Sequence, residues 1–490
     1  MKNVFFAWLL LCTMTVWAQK DKKLTDKTVD KASIAAHLRF LSSDALEGRD
    51  TPSKGQAVAA EYLRTQMELY GVKAFDQYPD YYQPVQMKKV VKPSEGVIAV
   101  DSMELRIGEE FLLINGGNFD VTSKVVYLEY ATPDEIKSAD VKGKVIVANA
   151  GDGQDVSPRA WFGLISDKRK AAKDAGALAV IELYNSAQIP WNVLKRYLSG
   201  DRVALDYGDA DDSFPSIWVN NANQERSEAF IKAKQLTLTM SGGNVDRFEV
   251  FNVVGYIEGT DPELKKDYVV YSAHYDHVGI GQPDSTGDAI YNGARDNAVG
   301  SVTVLEAAKN IGMYPTKRSS LFVFFTGEEK GLLGSEWFVE KSPVALSDMV
   351  YCFNSDGGGY NNTSMASVIG LDRTTAEDLL VEAIESYGLT AGDDANYKEQ
   401  GLFDRSDNVS FAKKGIPAPT FTPGMDAFDD EIFKYYHQPS DEFETLDMDY
   451  MYTFYRAYVL AGRLIGNMKE TPFWKEGDKY YEAGKSLYNN

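Results

Sequence analysis

The sequence predicts an α/β protein with a mixed, mostly parallel central sheet flanked by helices. Two observations carry that expectation. From Asn252 onward, short apolar runs alternate with segments of helical periodicity, the pattern of strands joined by helical crossovers. The chemically active residues then cluster just after the apolar runs, where open α/β sheets bind their ligands. The 490 residues include 44% hydrophobic and 12% aromatic residues, enough for two or three separate cores and incompatible with a wholly disordered chain.

In chain order, Lys31 to Tyr70 reads as helical. Ile34, Leu38 and Leu41 share one face, and Ala59, Tyr62, Leu63 and Met67 form a second before Gly71. A break at Gly116-Gly117 opens a texture of short strands, Val125 to Leu128 and Lys144 to Val147. A helix from Arg169 to Gly176 and an apolar strand from Ala177 to Leu183 follow, and the segment closes at Ser241-Gly242-Gly243. Residues 116–245 therefore read as an insertion between 19–115 and 246–470, with 471–490 as a tail. In the main part, strands are expected at Tyr268 to Ala273, Leu321 to Phe325 and Met349 to Phe353. Helices are expected at Val299 to Ile311, Leu332 to Glu340, Thr375 to Tyr387 and Tyr450 to Met468.

Lys2, the apolar run Val4 to Val16 and the small residues before a cut after Ala18 have the order of a secretory signal peptide. An exported protein, periplasmic or secreted, is the expectation, and no later segment is long enough to span a membrane. Past Ala18 the only cysteine is Cys352, read as a small buried hydrophobe rather than half of a cross-link. The formal charge of −21 argues against a nucleic-acid partner. Most of the excess lies in 246–490, with a dense part from Asp426 to Asp449.

Three predicted strand ends carry Ser272-Ala273-His274-Tyr275-Asp276-His277, Thr326-Gly327-Glu328-Glu329 and Asn354-Ser355-Asp356-Gly357. Arg295-Asp296-Asn297 precedes the first helix of this part, and His437 lies in Tyr435-Tyr436-His437-Gln438. Imidazole with carboxylate is a ligand mix suited to zinc. Shared between two ions, such a set can clamp both the attacking water and a substrate carbonyl. The Glu328-Glu329 pair offers one carboxylate to ligate and one to take a proton.

The blocks SAHYDHVG (272–279), NGARDNAVG (292–300), FFTGEEKGLLGS (324–335), NSDGGG (354–359) and YYHQPSD (435–441) resemble the dizinc exopeptidases of the aminopeptidase and glutamate carboxypeptidase type. LRFLSSDALEGRDTPSKGQAVAAEYL (38–63) is similar to the opening of that family. VKGKVIVANAGDG and RKAAKDAGALAVIELYN resemble the β-rich protease-associated domain that some members carry. The resemblance implies a zinc exopeptidase fold with two zinc ions per chain. One ion would be held by His274, Asp296 and Asp356, the other by Asp296, Glu329 and His437, with Asp296 bridging. It further implies Glu328 as general base, Asp276 as the residue orienting His274, and Tyr436 as a hydroxyl donor to the oxyanion.

Arg295 stands where the family often has a carboxylate, which puts a cation beside the metals or turned into a salt bridge. Asn408 replaces a frequent histidine that is not a ligand. His277 reads as a structural hydrogen-bonding residue more than a liner of the site, and His37 as a packing residue of the first helix. The activity the resemblance implies is removal of N-terminal residues from peptides. The alternatives are a carboxypeptidase or dipeptidase using Arg295 or Arg405 to hold a carboxylate, a non-catalytic receptor-like relative, and a one-zinc acyltransferase of the glutaminyl-cyclase kind.

Overall fold

The computed structural model describes residues 19–154, 158–186, 189–208 and 213–488. The signal-peptide stretch, 1–18, lies outside the described residues. No helix among them is long and apolar enough to cross a membrane. The chain divides into two compact units, Gln86–Phe248 and the remainder, from both sides of it.

The larger unit is built on α1 (Lys31–Leu41), α2 (Lys54–Leu69), β1 (Asn244–Ile257, from Glu249 onward), β2 (Tyr268–His274), α3 (Gly300–Met313), β3 (Ser319–Phe325), α4 (Leu333–Glu340) and β4 (Met349–Ser355). It continues with β5 (Met365–Ile369), α5 (Glu377–Glu385), β6 (Thr390–Gly392), α6 (Asn408–Lys413), β7 (Thr420–Pro423) and α7 (Met448–Asn467). Its strands lie in the order β6-β5-β7-β4-β2-β3-β1. The middle four, β7, β4, β2 and β3, are parallel. β1 runs antiparallel to β3, and β5 antiparallel to β7, so the sheet is mixed.

β2, β3 and β4 read as continuous apolar runs because helices cover both faces of the sheet. Successive side chains of a strand point to opposite faces, and β3 divides accordingly. Phe322 and Phe324 join a core with Tyr271, Phe353, Val302 and Tyr458, the last two from α3 and α7. Val323 and Phe325 join a second core with Val270, Cys352, Phe338 and Phe411, the last two from α4 and α6. α7 buries most of its length, and Asp447 caps its start by accepting from the Asp449 and Tyr450 amides. Cys352 is buried in the second core.

The smaller unit begins well ahead of Gly116, because Glu95–Val100 pairs with Gln235–Ser241. Its sheet runs Met103–Arg106, Glu95–Val100, Gln235–Ser241, Phe119–Tyr127, Val145–Asn149, Ala179–Tyr184, Ser216–Asn220 and Phe111–Asn115. Within it, Lys168 Nζ and Glu182 Oε1 pair at 2.5 Å with both side chains buried. Trp218 Nε1 donates to the other oxygen of Glu182 at 3.2 Å.

His37 is only 4% exposed. Its ring nitrogens lie 2.8 Å from the hydroxyls of Tyr62 and Tyr70. Burial, with the nearby Lys309 charge, pushes its pKa down to about 4. The unfolded chain therefore binds this proton first as pH falls from 6.5 towards 4. Stability present above that window is lost across it, to a total of about 3 kcal/mol. Relative to H37Q, wild type should lose about 2.5 kcal/mol between pH 7 and pH 4.5 in urea titrations. Parallel pH dependences in the two proteins would rule this out.

Candidate metal centre

The parallel strands β2, β3 and β4 deliver His274, Glu328-Glu329 and Asp356 to one end of the sheet. Asp296 arrives on the irregular turn Ala294–Val299, which leads into α3. His437 follows the short helix Asp430–Phe433 with φ of 53°. A left-handed backbone at a non-glycine residue persists only where the surroundings hold it. Here the imidazole stacks on Tyr436, centroids 4.1 Å apart and planes 22° apart.

Asp296 is central. Its Oδ1 lies 3.4 Å from His274 Nε2, and its Oδ2 lies 3.1 Å from His437 Nε2. One carboxylate thus addresses both imidazoles, one oxygen each. Asp356 Oδ1 is 3.2 Å from His274 Nε2, and Glu329 Oε2 is 3.2 Å from His437 Nε2. His274, Glu328 and Asp356 bring donor atoms within 4.8 Å of one another, as do His277, Asp296, Glu329 and His437.

The electrostatics show what such a cluster requires. Burial alone would lower the pKa of His274 and His437. The surrounding carboxylates outweigh it and hold His274 well above its ordinary value and His437 up at about 10. Four carboxylates packed together, Asp296, Glu328, Glu329 and Asp356, need positive charge, and protonated imidazoles can supply it. A divalent cation would replace those protons on the same lone pairs. The donor chemistry therefore fits a metal. Glu328 differs from its neighbour. Burial, reinforced by Asp356 and Asp407, raises its pKa well above the ordinary carboxylate range despite His274, a tuning found in general bases.

The structure places Asp276 in a different role from the one expected. Its carboxylate is 3.8 Å from His274 Nδ1, too far for a hydrogen bond. That nitrogen is instead 3.1 Å from the main-chain carbonyl of Asp276. The carboxylate accepts from the Glu328 and Glu329 amides at 3.1 and 3.3 Å, so it braces the β3 end rather than the imidazole. Tyr436 lines the open cavity over the cluster. Tyr435 lies under the Arg295 guanidinium, 3.6 Å from its ring centroid. Gly358 is required there, since a Cβ would stand 2.4 Å from the Tyr436 ring.

Arg295 is turned into a buried ion pair with Asp441 at 3.0 Å, both side chains nearly inaccessible. Asp441 also accepts from the Arg295 and Asp296 amides. It pins the turn that presents Asp296. Asn408 donates to the Phe403 and Ala418 carbonyls, a structural role. Two contributors carry no role in the sequence reading, although both stand inside the quoted blocks. They are Asp441, four residues after His437, and Arg49 of the LEGRD stretch. Arg49 Nε donates to the Tyr275 carbonyl at 2.8 Å, and its Nη atoms to the Asn292 and Gly293 carbonyls at 2.7 and 3.0 Å.

A mixed α/β sheet carrying two imidazole-carboxylate clusters near the ends of its parallel strands defines a candidate metal-binding protein. Residues 252–460 match the family model described as peptidase family M28. Aminopeptidase YwaD of Bacillus subtilis is 29% identical over 327 residues, covering 64% of this chain and 60% of the relative. Leucine aminopeptidase 2 of Arthroderma otae is 24% identical over 331 residues, covering 62% and 59%. The matched stretch thus spans about three fifths of these curated relatives. The solved structure of an aminopeptidase from Aneurinibacillus sp. strain AM-1 superposes with a TM-score of 0.59 at 21% identity, over 92% of this chain and 97% of that one. It shares the mixed α/β fold.

Removing one partner of a buried ion pair strands the other charge, which costs about 3–5 kcal/mol. R295M should lose that much in urea unfolding, and the double variant R295M/D441N should recover part of it. A single-variant loss below about 1 kcal/mol would show that the pair carries no buried charge.

Proposed function

We propose that this chain is an exported zinc-dependent exopeptidase that releases N-terminal residues from peptides. The observation that carries the reading is Asp296, which faces His274 with one oxygen and His437 with the other while Glu328 stands beside the cluster. The aminopeptidase names of the relatives support it. The proposal extends to two zinc ions per chain. His274, Asp296 and Asp356 would hold one, and Asp296, Glu329 and His437 the other. It extends also to the signal peptide at 1–18 and to a protease-associated domain within the smaller unit.

Zinc at these groups supplies Lewis-acid polarisation of the scissile carbonyl and makes water acidic near neutral pH. The chain's own residues do the rest. Glu328 takes a proton from the attacking water and passes it to the nitrogen of the leaving amine. The Asp276 carboxylate, held by the Glu328 and Glu329 amides, fixes the direction in which Glu328 points. The Tyr436 hydroxyl is kept protonated by burial and the nearby carboxylates, so it is a donor to the developing oxyanion. The carboxylate-rich cavity favours the protonated amine of a peptide over a free carboxylate.

A second reading, a carboxypeptidase or dipeptidase, is supported by one residue. Arg405 lines the cavity, whereas Arg295 is committed to Asp441. Amino-blocked and carboxy-blocked peptides separate the two. Cleavage of the carboxy-blocked peptide alone is expected, and cleavage of the amino-blocked peptide alone would replace the aminopeptidase reading with the second.

E328Q should lower kcat by roughly 10²–10⁴ with zinc content by elemental analysis unchanged. Turnover near wild type would remove Glu328 from its role. Chelation should abolish hydrolysis and zinc should restore it.

A further inference from the structure

Arg405 stands apart from the other arginines around the cluster. Arg295 is committed to Asp441, and Arg49 to main-chain carbonyls. Arg405 is exposed and lines the cavity over the cluster. Among the described residues no hydrogen bond or ion pair reaches its guanidinium. In a chain with 72 acidic against 51 basic residues, a guanidinium left without a carboxylate calls for a reason.

The local chain withholds one. The adjacent Asp404 is occupied, since its Oδ1 accepts from the Tyr480 hydroxyl at 2.9 Å and its Oδ2 pairs with Lys479. Asp407 is fully buried. The backbone between them is fixed. Phe403 is buried in the second core, and the Arg405 amide donates to the Leu402 carbonyl at 3.0 Å. The Ser406 hydroxyl accepts from Asn354 Nδ2 at 3.0 Å, and Asn354 stands on β4 just before Asp356. Arg405 is therefore anchored to the strand end that presents Asp356, with only its side chain uncommitted. Its charge favours the ionised form of the Tyr436 hydroxyl, against burial, so the guanidinium lies within electrostatic reach of the group assigned to the oxyanion.

The wall beside Arg405 is apolar and consists of Ile369, Leu402, Met425, Phe428 and Ile432. An apolar wall with one cation at its edge suits a side chain with a hydrocarbon stem and an anionic tip.

We propose that Arg405 selects the N-terminal side chain of the substrate, and that the pocket beside it takes glutamate. The methylenes would pack on the apolar wall and the carboxylate would enter the guanidinium fork. This deepens the aminopeptidase reading and rests on it. An N-terminal glutamate carries both charges the cavity answers, an amine for the carboxylate cluster and a carboxylate for Arg405. Glutamine has the same shape without the charge, and aspartate is a methylene too short. The other carboxylate an exopeptidase substrate can offer is the C-terminal one of a dipeptide, and the experiment separates the two sources.

kcat/KM would be measured on zinc-loaded wild type, R405M and R405K with glutamyl, glutaminyl and leucyl p-nitroanilides, which have no C-terminal carboxylate. Leu-Gly and its C-terminal amide form a second pair. Melting checks that the variants fold. Wild type should prefer glutamyl over glutaminyl substrate by roughly 10–100-fold, the range of a charge-assisted hydrogen bond. R405M should bring that ratio to about one or below, and R405K should keep part of it. A merely structural role for Arg405 would lower all three substrates together and leave the ratio unmoved.

A wild-type ratio near one, or a ratio unchanged in R405M, overturns the proposal. If R405M instead alters the preference for Leu-Gly over its amide, the carboxylate held is the C-terminal one and the side-chain assignment falls. Hydrolysis of the leucyl substrate without preference for glutamyl leaves the aminopeptidase reading standing and overturns the proposal alone. Failure to hydrolyse any of the three anilides overturns both.

Discussion

Carboxylates buried together repel one another, and each pays for desolvation unless a cation or hydrogen-bond donor answers it. Asp276, Asp296, Glu329 and Asp441 all lie in one such region of the larger unit, and much of the local architecture follows from that constraint. Arg49, itself only 1% exposed, sits in their field. Burial pushes its pKa down to about 10 against the pull of these four acids, which leaves it charged at neutral pH. Its hydrogen bonds go to main-chain carbonyls of the His274 loop and of the Asp296 turn. One guanidinium therefore supplies charge to the cluster and also sets the separation of the two loops that carry its donors. Gly48 beside it has φ of 67°, and a Cβ there would strike the Gly279 and Tyr291 carbonyls. The glycine lets the arginine in.

The central sheet was legible because burial on both faces leaves an unbroken apolar run, which β2, β3 and β4 all show. β5, β6 and β7 went unread for a physical reason. They are three to five residues long, and β7 ends in Pro423. Such segments are specified by the neighbours they pair with, not by a pattern of their own. The clustering of His274, Asp296, Glu328, Glu329, Asp356 and His437 was legible because parallel strands deliver their ends to one edge. Arg49 and Asp441 were not, because their work is hydrogen bonding to main chain. A side chain that serves the backbone leaves no spacing signature.

Asp276 shows the same limit from the other side. Its place two residues after His274 suggested a carboxylate–imidazole contact, and that contact goes instead to the Asp276 main-chain carbonyl. The two amides after Gly327 are where the carboxylate is needed, since the chain turns there with φ of 66° and its N–H groups would otherwise be buried without partners.

The acid excess also changes meaning at the level of individual residues. Within the run from Asp426 to Asp449, Asp429 caps the Asp430–Phe433 helix and Asp447 caps α7. Asp426 accepts from Asn362, Asp441 holds Arg295 and the Asp296 turn, and Glu442 accepts from Asn292. These acids work on nearby N–H groups at short range, where salt screens little. A long-range field that draws in cationic ligands needs charges with no such local partners. The part of the −21 that bears on ligand selection is therefore the part lining the cavity, where the negative charge is set by how many carboxylates have no cation or hydrogen-bond donor to answer them.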